Sequence, residues 1–331
     1  TAIREHDDAV AATGLDVWVG AEPTFTDPRS ESPEWLSEAL GDSKESYAFS
    51  IVSRLRARYP GSIILRTVGR QYPDEARPRW SFGLYRRRDQ RAINDGLPED
   101  PLNQPCDCDR ERVTDFWQCL TAALDRDGWV ASGFQVDGEC GMRALFRVEG
   151  QRPVADPAAD PRLARKSLQS AAVPVTGVID ELAGEGLYLV AVGLAACGPE
   201  QSPQPCIELP GFAEVSLFLN FVKRVARAAQ EAGLADLVWR GFPPPVDSTV
   251  AWTTVTPDPA VIEVNEAPAA SVSEFLEMSR NLYRQVQAEG LAPCRLQYNG
   301  RISESGGGGQ FTLGGVSPAQ SPFFVSPRLL P

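Results

Sequence analysis

The sequence is poor in the side chains on which much enzyme chemistry depends. Of its 331 residues one is a histidine, His6. A histidine-activated serine or cysteine nucleophile would have to use that residue, and a histidine-rich zinc site is excluded. Lysine is scarce as well, with only Lys44, Lys166 and Lys223, so almost all positive charge is arginine. No segment has the G-x-x-x-x-G-K-[ST] spacing of a phosphate loop. The seven cysteines (Cys106, Cys108, Cys119, Cys140, Cys197, Cys206 and Cys294) are scattered and odd in number. Cys106-Asp107-Cys108 has neither zinc-knuckle nor thioredoxin spacing, so reduced thiols in a cytoplasmic protein are expected. No apolar run approaches the ~20 residues of a membrane span, and no signal peptide is visible. A first residue of Thr in place of Met leads us to expect a chain processed or excised from something longer. No internal repeat of 20–50 residues is evident.

Positive charge is in deficit: 44 Asp+Glu stand against 32 Lys+Arg, a formal charge of −12. That balance argues against nucleic acid or an anionic membrane as partner, because both reward clustered Lys and Arg. What is present is an ordinary globular composition, 43% hydrophobic and 23% charged. The length suits one large domain or two modest ones.

Patterning predicts a strand over 15–20 running into Gly20-Ala21-Glu22-Pro23-Thr24. Ser32-Pro33 opens a helix and a second follows over 43–58. Strands are expected at 62–66, 80–88 and 187–194, and a pair of them within 129–149 around Asp137-Gly138. Helices are expected at 111–127, 214–233 and, from the capping box Ser271-Val272-Ser273-Glu274, to about 289. Strands are expected at 236–241, 260–265, 296–302 and 311–313. Loops fall near 97–110, 151–170 and 198–206. Strands and helices mix without strict alternation, so the expected class is α+β with a largely antiparallel sheet.

Several places could carry chemistry. Glu22 sits just past a strand between Gly and Pro, a rigid edge that suits a hard cation such as Mg²⁺; an exposed Glu on a turn gives the same pattern. In Val261-Ile262-Glu263-Val264-Asn265, alternation projects Glu263 and Asn265 to one face, where they can serve a metal or a substrate amine, or simply meet solvent. Glu208 has the same character before a helix, and Asp137 and Glu139 are weaker candidates. The run Gly306-Gly307-Gly308-Gly309-Gln310 lets backbone N–H groups converge on an anion, or forms a hairpin loop. Arg295 and Arg301 could support phosphate or carboxylate there, or simply stand solvated. The stretch Arg86-Arg87-Arg88 reads as a solvated strand end.

Four strings in order, VWVGAEPTFTD (17–27), PRWSFGLYRR (78–87), GFPPPVDSTVAWTTVTPDPAVIEVN (241–265) and NGRISESGGGGQFTLGG (299–315), resemble a bacterial family. In many of its members this region lies C-terminal to a transglutaminase-like domain. The family is regarded as amidoligases similar to glutamine synthetase and glutamate–cysteine ligase. The resemblance implies an antiparallel sheet with helices on one side and an ATP/metal cleft on the other. It implies an ATP- and Mg²⁺-dependent joining of a carboxylate to an amine through an acyl phosphate, the substrates being small molecules or peptides. On it, Glu22, Glu208 and Glu263 would hold metal. Asn265, Arg301, Gly306, Gly307, Gly308, Gly309 and Gln310 would bind nucleotide or substrate. No residue is assigned a catalytic role. Thr24 stands where glutamine synthetases carry a second acid, and Gln310 where many relatives have histidine. Relatives continue past the last residue, so residues 1–331 read as one ligase-like domain lacking the family's C-terminal segment. The alternative is a non-catalytic ligase-like module working with a transglutaminase-like or peptidase partner.

Overall fold

A computed structural model describes residues 2–69, 71–75, 77–102, 106, 108–134, 141–148, 163, 181–195, 203–307 and 309–329. In chain order the elements are α1 (Ala2–Ala12), β1 (Trp18–Glu22), β2 (Thr24–Phe25), α2 (Pro33–Leu36), α3 (Asp42–Arg58), β3 (Ile63–Val68) and β4 (Trp80–Arg87). Then come α4 (Arg110–Arg126), β5 (Trp129–Phe134), β6 (Gly141–Val148), β7 (Leu187–Ala195), β8 (Gln204–Leu209), α5 (Val215–Glu231) and β9 (Val238–Gly241). The last part holds β10 (Val250–Asp258), β11 (Val261–Asn265), α6 (Val272–Ala288), β12 (Cys294–Leu296), β13 (Ile302–Glu304), β14 (Gln310–Gly314) and α7 (Pro322–Val325). The class is mixed α and β with mostly antiparallel strand pairing. No described helix is long and apolar enough to cross a membrane. The chain divides into two compact units, Thr1–Pro60 with Arg79–Gln90 and Val246–Pro331, and Gly61–Pro78 with Arg91–Pro245.

In the first unit β2, β11, β10 and β4 pair antiparallel in that order. β1 pairs with β14, and β12 with β13. Helix α3 buries Ala48, Phe49, Ile51, Val52 and Leu55, the i, i+3, i+4, i+7 spacing of a core-facing stripe. Phe49 meets Phe82 of β4 with centroids 4.2 Å apart, so Trp80, Phe82, Leu84 and Arg86 form the face that α3 covers. Helix α6 covers the same face, where Tyr283 packs edge-on against Phe25 at 5.1 Å. The capping box at its start holds in modified form. Ser271 accepts from the Glu274 amide, but the Glu274 carboxylate reaches past Ser271 to the Ala270 amide. Gly290 takes the left-handed conformation expected after a helix (φ 84°).

In the second unit the strand order is β3, β9, β8, β7, β6, β5. β8, β7, β6 and β5 pair antiparallel, but β9 runs parallel to both β3 and β8. The cause is α5, which carries the chain from the end of β8 back to the start of β9, as a parallel connection requires. Its Phe218, Phe221, Val222, Val225 and Ala229 are buried, and α4 packs beside it through Val113, Phe116, Leu120 and Leu124. Arg66 and Asp100 form a buried ion pair at 2.7 Å.

Two elements run against expectation. Residues 296–302 are not one strand but the turn of the β12–β13 hairpin. Asn299-Gly300 supplies the turn chemistry, with Gly300 at φ 76°. Of the three arginines read as solvated, Arg87 pairs at the surface with Asp89. Arg86 is buried over the Tyr59 ring, and Arg88 lies over Trp18 while donating to the Val250 carbonyl. Helix α1 and strand β10 were not marked by sequence patterning. The Asp137-Gly138 turn and Glu139 lie outside the described residues.

Glu266, which follows β11, is buried and accepts from the Ser279 hydroxyl at 2.8 Å. Burial pushes its pKa from 4.5 up to about 7, against the lowering effect of that hydrogen bond. The folded state therefore holds a proton that the unfolded chain has lost. The stabilising contribution is full below pH 4.5 and is lost as pH rises through about 7. Glu266→Gln removes this dependence. Urea unfolding should show the variant gaining roughly 3 kcal/mol relative to wild type between pH 4.5 and 8; a pH-independent difference would contradict a raised Glu266 pKa.

Candidate functional site

The face of the β2–β11–β10–β4 sheet opposite α3 and α6 is the polar one. Alternation along β11 sends Ile262 and Val264 toward the helices and Glu263 and Asn265 the other way. Register fixes their neighbours. Glu263 lies between Thr24 of β2 and Thr256 of β10, and Asn265 opposite Thr254. The Asn265 amide donates to a Glu263 oxygen at 3.0 Å. Burial is the main cause that raises the Glu263 pKa, and the nearby Glu22 and Asp258 carboxylates raise it further against the pull of Asn265 and Arg79. Glu22 and Glu263 are thus two like charges placed close together in a half-buried setting. That arrangement disfavours both being ionised unless a cation joins them.

The glycine run closes on this face. Glu22 ends β1 directly opposite Gln310 of β14. A Cβ on Gly307 would stand 2.6 Å from Val261 Cγ2 and 3.1 Å from Thr24 Cγ2, so only glycine lets the chain pass this close. Gly306 adopts φ 102°. Just before it, buried Ser305 shares a 2.6 Å hydroxyl–hydroxyl hydrogen bond with Thr24. Gly308 lies outside the described residues.

Two cations hold the frame. Arg295 donates from Nε to the Ser305 carbonyl at 2.7 Å, and from Nη2 to the Ala260 carbonyl at 2.8 Å and to that of Trp35. Lys44, fully buried beneath the Trp35 ring, donates to the carbonyls of Glu38, Ala39 and Asp258. Burial lowers its pKa to about 7. Between them they fix the β10–β11 turn, in which Ala260 takes the left-handed φ of 67°. Sequence reasoning offered Arg295 as an anion ligand. The structure gives it to backbone carbonyls instead.

Of the residues singled out from sequence, Glu22, Glu263, Asn265, Gly306, Gly307, Gly309 and Gln310 are brought together in the first unit. Arg301 stands on the β12–β13 turn with an exposed side chain. Glu208 is in the second unit, buried on β8 opposite Ala191 of β7 and Arg240 of β9. Among the described residues no group of three or more acidic, histidine or cysteine side chains could hold a metal ion. The first unit offers a pair of carboxylates. Thr254, Thr256 and Ser305 were missed. The alternation of Thr254 and Thr256 beside the Glu263–Asn265 strand was the signal available for the first two.

A family model described as "Putative amidoligase enzyme (DUF2126)" matches residues 2–157 and 190–331. The chain belongs to this amidoligase family. The matched segments include every residue of the polar face and the glycine run. No curated protein and no solved structure matches the chain.

Two measurements test this geometry. Glu22→Gln removes a charge that raises the Glu263 pKa, so a carboxyl NMR titration should show Glu263 titrating at lower pH in the variant; an unchanged midpoint would separate the two residues. Arg295→Lys cannot serve three carbonyls in the same fork. Hydrogen exchange at Gly306, Gly307 and Gly309 should quicken by about tenfold while α5 amides, in the other unit, keep their rates.

Proposed function

We propose that this member of the amidoligase family is an ATP- and Mg²⁺-dependent carboxylate–amine ligase. In the proposed reaction a carboxylate oxygen takes the γ-phosphoryl group of ATP and ADP leaves; an amine then attacks the carbonyl carbon of the acyl phosphate, and phosphate and a proton depart as the amide forms. The observation that carries this reading is the convergence of Glu22 and Glu263 under the glycine run. Two carboxylates suit Mg²⁺, which is commonly held by one or two acids together with waters and substrate phosphates. When bound, the cation neutralises charge on transferring phosphoryl oxygens. The fit rests on the two mutually repelling acids, whose charges a divalent cation would offset.

The chain's own groups take the remaining parts in this proposal. Backbone N–H groups of Gly306, Gly307 and Gly309 receive anionic oxygens, as amide nests do. Asn265 holds Glu263 in place through its amide and keeps its own carbonyl oxygen for a substrate N–H. Gln310, opposite Glu22, presents an amide where it can meet either substrate. The catalytic-domain likeness to glutamine synthetase and glutamate–cysteine ligase, and work alongside a transglutaminase-like domain, belong to the same proposal.

A second reading, a non-catalytic binding module, draws on one observation. The Thr24 position, where a second acid would add a ligand, is committed to Ser305. Phosphate release with mixtures of carboxylates and amines separates the two. Mg²⁺-dependent release is expected, reduced about a hundredfold in Glu263→Gln and strongly in Glu22→Gln. Turnover untouched by both substitutions would remove these residues from the site. Absent turnover, with no Mg-ATP binding by calorimetry, would favour the module.

A further inference from the structure

The polar face carries one side chain that the proposed ligase chemistry leaves idle. On β10, Trp252 alternates to the same side as Thr254 and Thr256. Thr256 lies opposite Glu263 of β11, Thr254 lies opposite Asn265, and Trp252 comes two residues further on. Across the other edge of β10, Trp252 faces Tyr85 of β4 and Thr254 faces Gly83. A Cβ on Gly83 would fall 1.7 Å from Trp252 Cη2, 2.1 Å from Cζ2 and 2.3 Å from Cζ3. That point stands over Cη2 at distances too short for an approach in the ring plane, so the indole lays its face on the bare glycine backbone. Any side chain at position 83 would lift it off. Tyr85, fully buried, meets the indole edge-on with centroids 6.1 Å apart. Trp252 itself is half-buried. Trp18, Trp35 and Trp129 each have a cation over the ring. Among the described residues Trp252 has none, and no acceptor takes its indole N–H.

We propose that Trp252 is the stacking platform for the base of a nucleotide laid along this face, an inference that rests on the ligase reading of the same site. The order of groups matches the ligand. Gly307 passes over Val261 and Thr24 at one end of the row, Glu263 follows, then Asn265 beside Thr254, and the indole closes the other end. A nucleotide runs in the same sequence, from anionic phosphates through a hydroxyl-bearing ribose to a flat base. Thr256 and Trp252 are about 13 Å apart along the strand, a span that ribose and phosphates can bridge. The indole is held against Gly83 before any ligand arrives, so stacking on its outer face costs little further ordering. Every base has a π-face, and such a platform is worth about tenfold or more in affinity. The indole N–H, a donor only, suits a ribose or phosphate oxygen.

Calorimetry of the full chain with Mg-ATP and with Mg-tripolyphosphate, which has the charges but no base, tests this. Trp252→Leu should weaken Mg-ATP by about tenfold or more and leave Mg-tripolyphosphate within about twofold. Trp252→Phe keeps a smaller flat ring and should recover most of the ATP affinity. Should neither variant fold, wild-type protein deuterated everywhere except at tryptophan supplies the reading: saturating the indole protons should carry saturation to adenine H2 and H8 of bound ATP. The base subsite is overturned if folded Trp252→Leu keeps its Mg-ATP affinity, if ATP and tripolyphosphate weaken together, or if no saturation reaches the adenine. In each of those cases the wild type still binds both compounds, and the ligase reading stands without the subsite. If the wild type binds neither compound, the ligase reading falls and takes the subsite with it.

Discussion

The side-to-side alternation of β11 is the constraint on which the first unit depends. Four residues, Ile262 to Asn265, divide between two environments. Ile262 and Val264 complete the apolar layer under α3 and α6, and that burial locks the register of the whole strand. Glu263 and Asn265 are then displayed on the opposite face without any choice of their own. A slip of one residue would bury the acid among Phe49, Phe82 and Tyr283 and turn two aliphatic side chains to the polar side. The cost of that exchange is what makes the acidic face reproducible. The polar geometry is therefore a by-product of hydrophobic packing, held by groups that take no part in chemistry.

Much of this was legible in the sequence because period-2 and period-3.6 patterns are local. The helix at 110–126, the strands at 80–87 and 261–265 and the capped start of α6 follow from neighbours a few residues away. The acids Glu22 and Glu263 were recognisable for the same reason, as carboxylates at or near strand ends. What was hidden is non-local. Nothing near Thr24 signals its bond to Ser305. Nothing near Arg295 announces three carbonyl partners drawn from α2, the β10–β11 turn and the residue before the glycine run. The parallel setting of β9 likewise depends on the path of α5, not on the composition of β9. Strand β10 was overlooked because threonine and proline dilute its apolar signal, although its neighbours on both sides pair with it along most of its length.

Arginine use shows how composition misleads when read as charge alone. A basic triplet at a strand end suggests a solvated edge. Here the three neighbours take three different surroundings: a ring and a thioether for Arg86, an aspartate for Arg87, an indole and a carbonyl for Arg88. Arg295 spends its guanidinium on backbone, where lysine would offer a point charge without the flat fork. In a chain with three lysines, one of them, Lys44, is fully buried and serves the same turn that Arg295 serves. Arg88, Lys44 and Arg295 are thus fasteners for main chain.

The bond between Thr24 and Ser305 joins residues 281 apart in the chain. A ribosome adding 5–20 residues per second takes roughly a quarter of a minute to a minute to bring the second partner into being after the first. Throughout that interval β1 has no β14, for most of it β2 has no β11, and the carboxylate of Glu22 stands without the strand that will face it. Most of the second unit is made in between and can settle while the first waits. The nascent protein must therefore carry an unpaired, half-apolar strand edge for most of its synthesis. Like charges on emerging chains discourage edge-to-edge pairing until β14 arrives to face β1.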